Sequence, residues 1–131
     1  MFTTIEMPLF NGETKDVEFM ANAATPRRYK MIFGDDLLSK FANAERIIDG
    51  KTHYDIDFLP ELSFVMAMQA RALSDEKFKL EKLNPSMFLD WLEQFDSMAF
   101  ENKSQEIMDL YLGNTETSSQ AKKNTEKQSE K

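Results

Sequence analysis

The sequence predicts an α+β fold, mostly α: an N-terminal β-hairpin packed on a bundle of about five helices, with a disordered C-terminal tail. Three observations predict it. Polar and apolar residues alternate on either side of Asn11-Gly12, later stretches repeat apolar residues at helical spacing between start and stop signals, and the composition changes abruptly after Gly113.

Residues 2–10 and 14–20 read as the two strands of the hairpin, because Asn-Gly is a strong tight-turn dipeptide and Val17 and Phe19 share one strand face. Pro8 confines the first strand to an edge position. Two strands alone are marginal in water, so the hairpin needs helices to pack on. Thr25-Pro26 then opens a helix, with Thr25 as N-cap, Tyr29, Ile32 and Phe33 on one side, and Gly34 as its stop. Asp35-Asp36 opens a second helix carrying Leu37, Leu38, Phe41, Ala44 and Ile48, and acids in a first turn suit the helix dipole. Residues 49–57 read as a loop.

Phe58 to Leu73 is the most apolar stretch and is apolar nearly all round the helix, which marks a central, buried element. Asp57 is placed to cap it, and Pro60 falls early enough to be tolerated. A charged segment from Ser74 to Leu83 leads to Asn84-Pro85, a further start signal. The helix after it carries Met87, Phe88, Trp91, Leu92, Phe95, Met98 and Ala99 on one broad face. A last helix holds Ile107, Met108, Leu110, Tyr111 and Leu112 before Gly113. In 114–131 only Ala121 is apolar, too little to offset the entropy of ordering the segment. The folded unit is therefore 1–113, a single domain, and 114–131 is expected to be a disordered polar tail.

Composition narrows the function. The chain has 131 residues, 23 acids against 16 bases and a net charge of −7. That balance argues against binding a phosphate backbone, so no nucleic-acid partner is expected. Cysteine is absent and His53 is the one histidine. Thiol catalysis, Cys-zinc sites and histidine pairs are thereby excluded. No run reaches transmembrane length and no signal-peptide layout opens the chain, so a soluble, intracellular protein without a membrane partner is expected. There is no nucleophile–base motif and no phosphate loop. A non-enzymatic domain with no cofactor, no metal and no catalytic residue is expected.

The remaining polar clusters have plain readings. His53, Asp55 and Asp57 alternate, but a calcium loop needs more oxygen ligands and a glycine-pinned turn. Asp35 and Asp36 are adjacent on a helix and diverge by about 100°, so they do not share a substrate. Arg27, Arg28 and Lys30 form a basic cluster without a glycine-rich loop, which suits a solvated face or ion pairs with the acidic later helices.

The apolar inventory is the distinctive feature, with 11 Phe, 9 Met and 1 Trp. Methionine-rich surfaces accept varied apolar partners. Phe64, Val65, Met66 and Met68 read as core. The stretch 85–112 combines aromatics with six acids, Asp90, Glu93, Asp96, Glu101, Glu106 and Asp109, against one base, Lys103. Core packing is the plain reading of its rings. The functional one is an amphipathic groove for a greasy, basic helix, with Phe88, Trp91, Leu92, Phe95 and Phe100 as the candidate partner contacts.

The segment from Met20 to Leu38, with its Asn22-x-x-Thr25-Pro26 turn, its Arg/Tyr-bearing helix, the Phe33-Gly34 break and Leu37-Leu38, resembles the tail assembly chaperones of long-tailed phages of Gram-positive hosts. The order of later elements fits the same family by pattern: Asp57-Phe58 opening an apolar helix, Phe88-Leu-Asp-Trp-Leu92, and a polar tail. The resemblance implies a non-catalytic protein of the host bacterial cytoplasm, absent from the mature virion. It implies binding to the tape measure protein, and to tail tube subunits, during tail morphogenesis. A translational frameshift product, a longer form of the same chain, and a homo-oligomer are further implied partners, and Lys122-Lys123 could mark an A-rich slip site. It identifies none of the five candidate contacts. The alternative from composition is an acidic mimic of nucleic acid that inhibits a host DNA-binding protein. The acids are spread along the chain and interleaved with bases, which weakens it. Steep loss of binding with salt would distinguish mimicry from apolar capture.

Overall fold

A computed structural model describes residues 2–113. The expected disorder of 114–131 lies outside them. Strands β1 (Phe2–Pro8) and β2 (Thr14–Met20) form the predicted antiparallel hairpin, with Ile5 opposite Val17 and Pro8 opposite Thr14. Its inner face carries Ile5, Met7, Val17 and Phe19, all buried, as a two-residue period dictates. Gly12 takes a positive φ of 87° in the turn, where a side chain would be strained. Pro8 sits at the strand end, where its missing donor costs nothing and its carbonyl accepts from the Asp96 backbone N–H at 3.0 Å.

Helices α1 (Thr25–Phe33) and α2 (Leu37–Ala44) are separated by Gly34, which closes α1 in a left-handed conformation. Asp36 caps α2, accepting from the Ser39 N–H and hydroxyl at 3.2 and 2.6 Å. The hydroxyl bond, chiefly, holds the Asp36 carboxyl below its usual range.

Two expectations need correction here. Ile48 is not helical, and 49–57 is not simply a loop. Strands β3 (Glu45–Ile48) and β4 (Lys51–Tyr54) make a second hairpin. Asp49 and Gly50 both have positive φ, 53° and 76°, the requirement of the tight hairpin turn that Asp-Gly favours. The β-branched pair Ile47-Ile48 then prefers strand to helix. This hairpin projects: Glu45, Ile47, Ile48 and residues 49–53 are exposed.

Helix α3 (Leu59–Ser74) is the central element, buried without a break from Leu62 to Ala70. It packs on β2, α1 and α4. Phe58 is its N-cap residue, and no side chain caps it, so Asp57 does not act as foreseen. A short 3₁₀ turn at Leu80–Lys82 leads to α4 (Pro85–Leu92), whose N-cap Asn84 accepts from the Met87 N–H at 3.1 Å.

The helix foreseen through Ala99 stops at Leu92. Backbone hydrogen bonds from Phe10 to Gln94 and from Asp96 to Pro8, with a bridge between Leu9 and Phe95, tie 94–96 onto the hairpin edge. Those tertiary bonds outweigh continuation of the helix. Two further helices, α5 (Ala99–Asn102) and α6 (104–113), complete the described chain. The fold is α+β and mostly α, an N-terminal hairpin packed against helices.

Candidate partner-binding surface

Helix α1 is fixed from the inside by polar groups. The Gln69 side chain, buried in α3, donates to the Met20 carbonyl at 2.7 Å and to the Thr25 hydroxyl at 2.9 Å, while Arg28 donates to its Oε1 at 2.8 Å. The Thr25 hydroxyl also accepts from the Asn22 N–H, and Asn22 Oδ1 accepts from the Ala24 N–H. Every buried side-chain polar atom among the described residues is paired. Thr25 is thus a buried link between helices rather than the N-cap, which is Ala24. Arg28 bonds to Gln69 rather than forming an ion pair with the later helices. Sequence reasoning missed Gln69. Its signal was one amide in an otherwise apolar run, which must find partners if buried.

The five candidate contacts fare differently. Phe88, Phe95 and Phe100 are 7%, 6% and 6% exposed and belong to the core. Trp91 and Leu92 are half-buried against it. The rings form one network of edge-to-face and tilted contacts: Phe88 meets Phe33 at 5.2 Å and Phe64 at 5.5 Å, and Trp91 meets Phe64, Phe95 and Phe100 at 5.6, 4.8 and 5.9 Å. The 85–112 stretch is therefore not an exposed aromatic groove. Its acids cover the outside of a sealed layer. Trp91 lines a cleft, a polar one shared with Lys15, Glu18, Arg71 and Gln94.

An apolar opening lies elsewhere. A groove of about 410 Å³ runs between α1 and the segment around the 3₁₀ turn, lined by Ala24, Met31, Ile32, Leu80 and Leu83. Arg27, Arg28 and Glu81 complete its wall. Met31 is 75% exposed, because the α1 face opposite Tyr29 has nothing packed over it. Its charged lining is mixed, two arginines and one glutamate, unlike the acidic surface foreseen for 85–112. Its lining suits aliphatic side chains.

A second region is acidic. A cleft of about 420 Å³ is lined by Asp35, Asp36, Asp55, Asp57, Lys40 and Phe58, and it adjoins Tyr29 and Glu61. Lys40 pairs with Asp35 at 3.6 Å. Burial, helped by nearby Asp57 and Asp35, pushes the Glu61 carboxyl up, against its own backbone hydrogen bond and Lys40. Burial, then the carboxylates of Glu61, Asp35 and Asp57, pushes the Tyr29 hydroxyl up as well. Among the described residues no group of three or more His, Asp or Glu side chains is placed to hold a metal ion. His53 lies on β4 and Asp55 and Asp57 in the following segment, so they do not form a ligand set. No helix among the described residues is long and apolar enough to cross a membrane. Comparison of the chain with protein-family models, with curated proteins and with solved structures returns no match.

Proposed function

We propose that this protein is a tail assembly chaperone of a long-tailed phage, a non-catalytic protein that holds apolar segments of the tape measure protein while the tail tube polymerises. The single observation that carries the reading is the Met31 groove. It opens on α1, the middle of the Met20–Leu38 segment that bears the resemblance. The polar link through Gln69 fixes the inner side of that helix, while Met31 stays open to a client.

Long helical proteins with apolar stripes aggregate when unassembled. A flexible methionine beside aliphatic side chains accepts varied sequences. One groove of this size gives modest affinity, which suits a client that the tube must later take over, and many copies on one client supply avidity. The net charge of −7 keeps such complexes dispersed.

Co-expression with the product of the neighbouring long helical open reading frame tests the role. The expected result is that this client becomes soluble and co-purifies. A client that stays insoluble with or without the protein would remove the chaperone reading. Retention of the complex in high salt is expected of apolar capture, and steep loss with salt would point instead to nucleic-acid mimicry.

A further inference from the structure

We propose that the acidic cleft between α1, α2 and the start of α3 binds an arginine side chain of a partner polypeptide, with the Tyr29 hydroxyl at its floor and Asp57 and Glu61 as its anionic walls. The cleft, of about 350 Å³, is lined by Tyr29, Asp35, Lys40, Asp57 and Glu61. Its depth is graded: Asp35 and Asp57 are exposed, Glu61 is half-buried, and Tyr29 is 1% exposed. The Tyr29 hydroxyl has no hydrogen-bond partner among the described residues. Every enclosed side-chain polar atom there is paired, so this oxygen opens onto the cleft that its residue lines. After burial, the carboxylates of Glu61, Asp35 and Asp57 are what push the hydroxyl up, which places all three near it. A buried ring thus presents one unpaired hydroxyl, donor and acceptor at once, among carboxylates.

Charge is unbalanced in the same place. Asp35 pairs with Lys40 at 3.6 Å. Asp57 and Glu61 have no ion-pair partner among the described residues. Burial first, and Asp57 with it, disfavours the charge on Glu61, a cost that a bound cation relieves. A metal ion is the poorer occupant, since no three acids among the described residues are placed to hold one. A guanidinium is the better one. Its planar fork of donors can serve two carboxylates and a hydroxyl oxygen together, and its faces stack on rings. Phe33 and Phe58 put two rings into the wall. A lysine ammonium is compact and strongly hydrated and exploits neither the rings nor the spread of acceptors. The inference rests on the client-holding reading only for which polypeptide carries the arginine.

Titration of Nα-acetyl-arginine amide into the full chain, followed by backbone amide chemical shifts, tests this without any client. Saturable shifts are expected at 29–36 and 57–61. The neutral isostere Nα-acetyl-citrulline amide should give none, and Nα-acetyl-lysine amide should bind at least about threefold more weakly. Asp57→Asn and Glu61→Gln should each weaken arginine binding about tenfold. Tyr29→Phe should weaken it about threefold or more, yet leave the melting temperature unchanged, because the hydroxyl it removes bonds nothing in the fold. The six acids of 85–112 serve as the control within the same spectra. Shifts of equal size there mean diffuse charge attraction and overturn the proposal. So do the absence of saturable shifts, equal binding of the lysine or citrulline probe, binding untouched by all three substitutions, or a Tyr29→Phe variant that melts lower. None of these outcomes bears on whether the protein solubilises a client, so the two can fail separately.

Discussion

The aromatic layer of α4 and α5 and the aliphatic groove beside α1 are both rich in large apolar side chains, yet one is sealed and the other open. Phe88 is inside because it packs on Phe64 of α3, and Phe95 and Phe100 because they pack on Trp91 and on each other where the 94–96 segment is tied to the hairpin edge. Met31 is outside because α1 is already fixed by its other faces: Tyr29 packs inward, and Thr25 and Arg28 bond to Gln69. Aromatic residues gain most from full enclosure with other rings, and a helix held on one side can leave the other free. A high density of rings in a small domain therefore marks where the core is, not where a partner binds.

The largest expected effect comes from breaking the sealed layer. Phe64 is fully buried and touches Phe33, Phe88 and Trp91. Phe64→Ala should cost about 3–5 kcal/mol in denaturant unfolding. A loss below about 1 kcal/mol would mean that the rings are not one packed layer.

The second expected effect comes from the polar link that leaves α1 open. Gln69→Ala removes the donor to Met20 and Thr25 and the acceptor for Arg28. It should cost about 1–3 kcal/mol, because buried groups are left unpaired. Hydrogen exchange should rise in 20–33 more than in 85–112. Uniform exchange across both would show that the link is not what holds α1.

These two positions also show how far the sequence could be read. The α+β class, the first hairpin, the central helix and the start signals at Asn84-Pro85 follow from period and capping alone, which are local properties. Other features are decided at long range. The end of α4 at Leu92 depends on backbone bonds to Pro8 and Phe10, remote in the chain. The burial of Phe95 follows from the same bonds. The second hairpin was legible in Asp49-Gly50, but the helical spacing of Ile48 with Ala44 competed with that turn signal. The groove was not legible at all, because its walls, α1 and 80–83, meet only in the fold.

A smaller effect is expected at Glu61, in the acidic cleft beside Tyr29 and Asp57. Burial raises its carboxyl in the folded state, so the ionised form is disfavoured on folding. Its contribution is therefore most favourable in acid, below the ordinary glutamate value, and is lost as pH rises through the raised folded value. Glu61→Gln should raise the melting temperature at neutral pH, and the gain should vanish in acid. A gain independent of pH would attribute the effect to packing instead.

The smallest effect on stability is expected at the open groove. Met31→Asp should change unfolding free energy by no more than about 0.5 kcal/mol, since the side chain is mostly in solvent. A loss of several kcal/mol would place Met31 in the core and close the groove.

The most direct measurement pairs that variant with the sealed layer. The soluble fraction of the long helical client would be measured when co-expressed with the wild type, Met31→Asp and Trp91→Phe. Binding through the groove predicts that the wild type and Trp91→Phe keep the client soluble and Met31→Asp does not. A client held equally well by Met31→Asp, or released by Trp91→Phe, would contradict it and return the partner face to the aromatic helices.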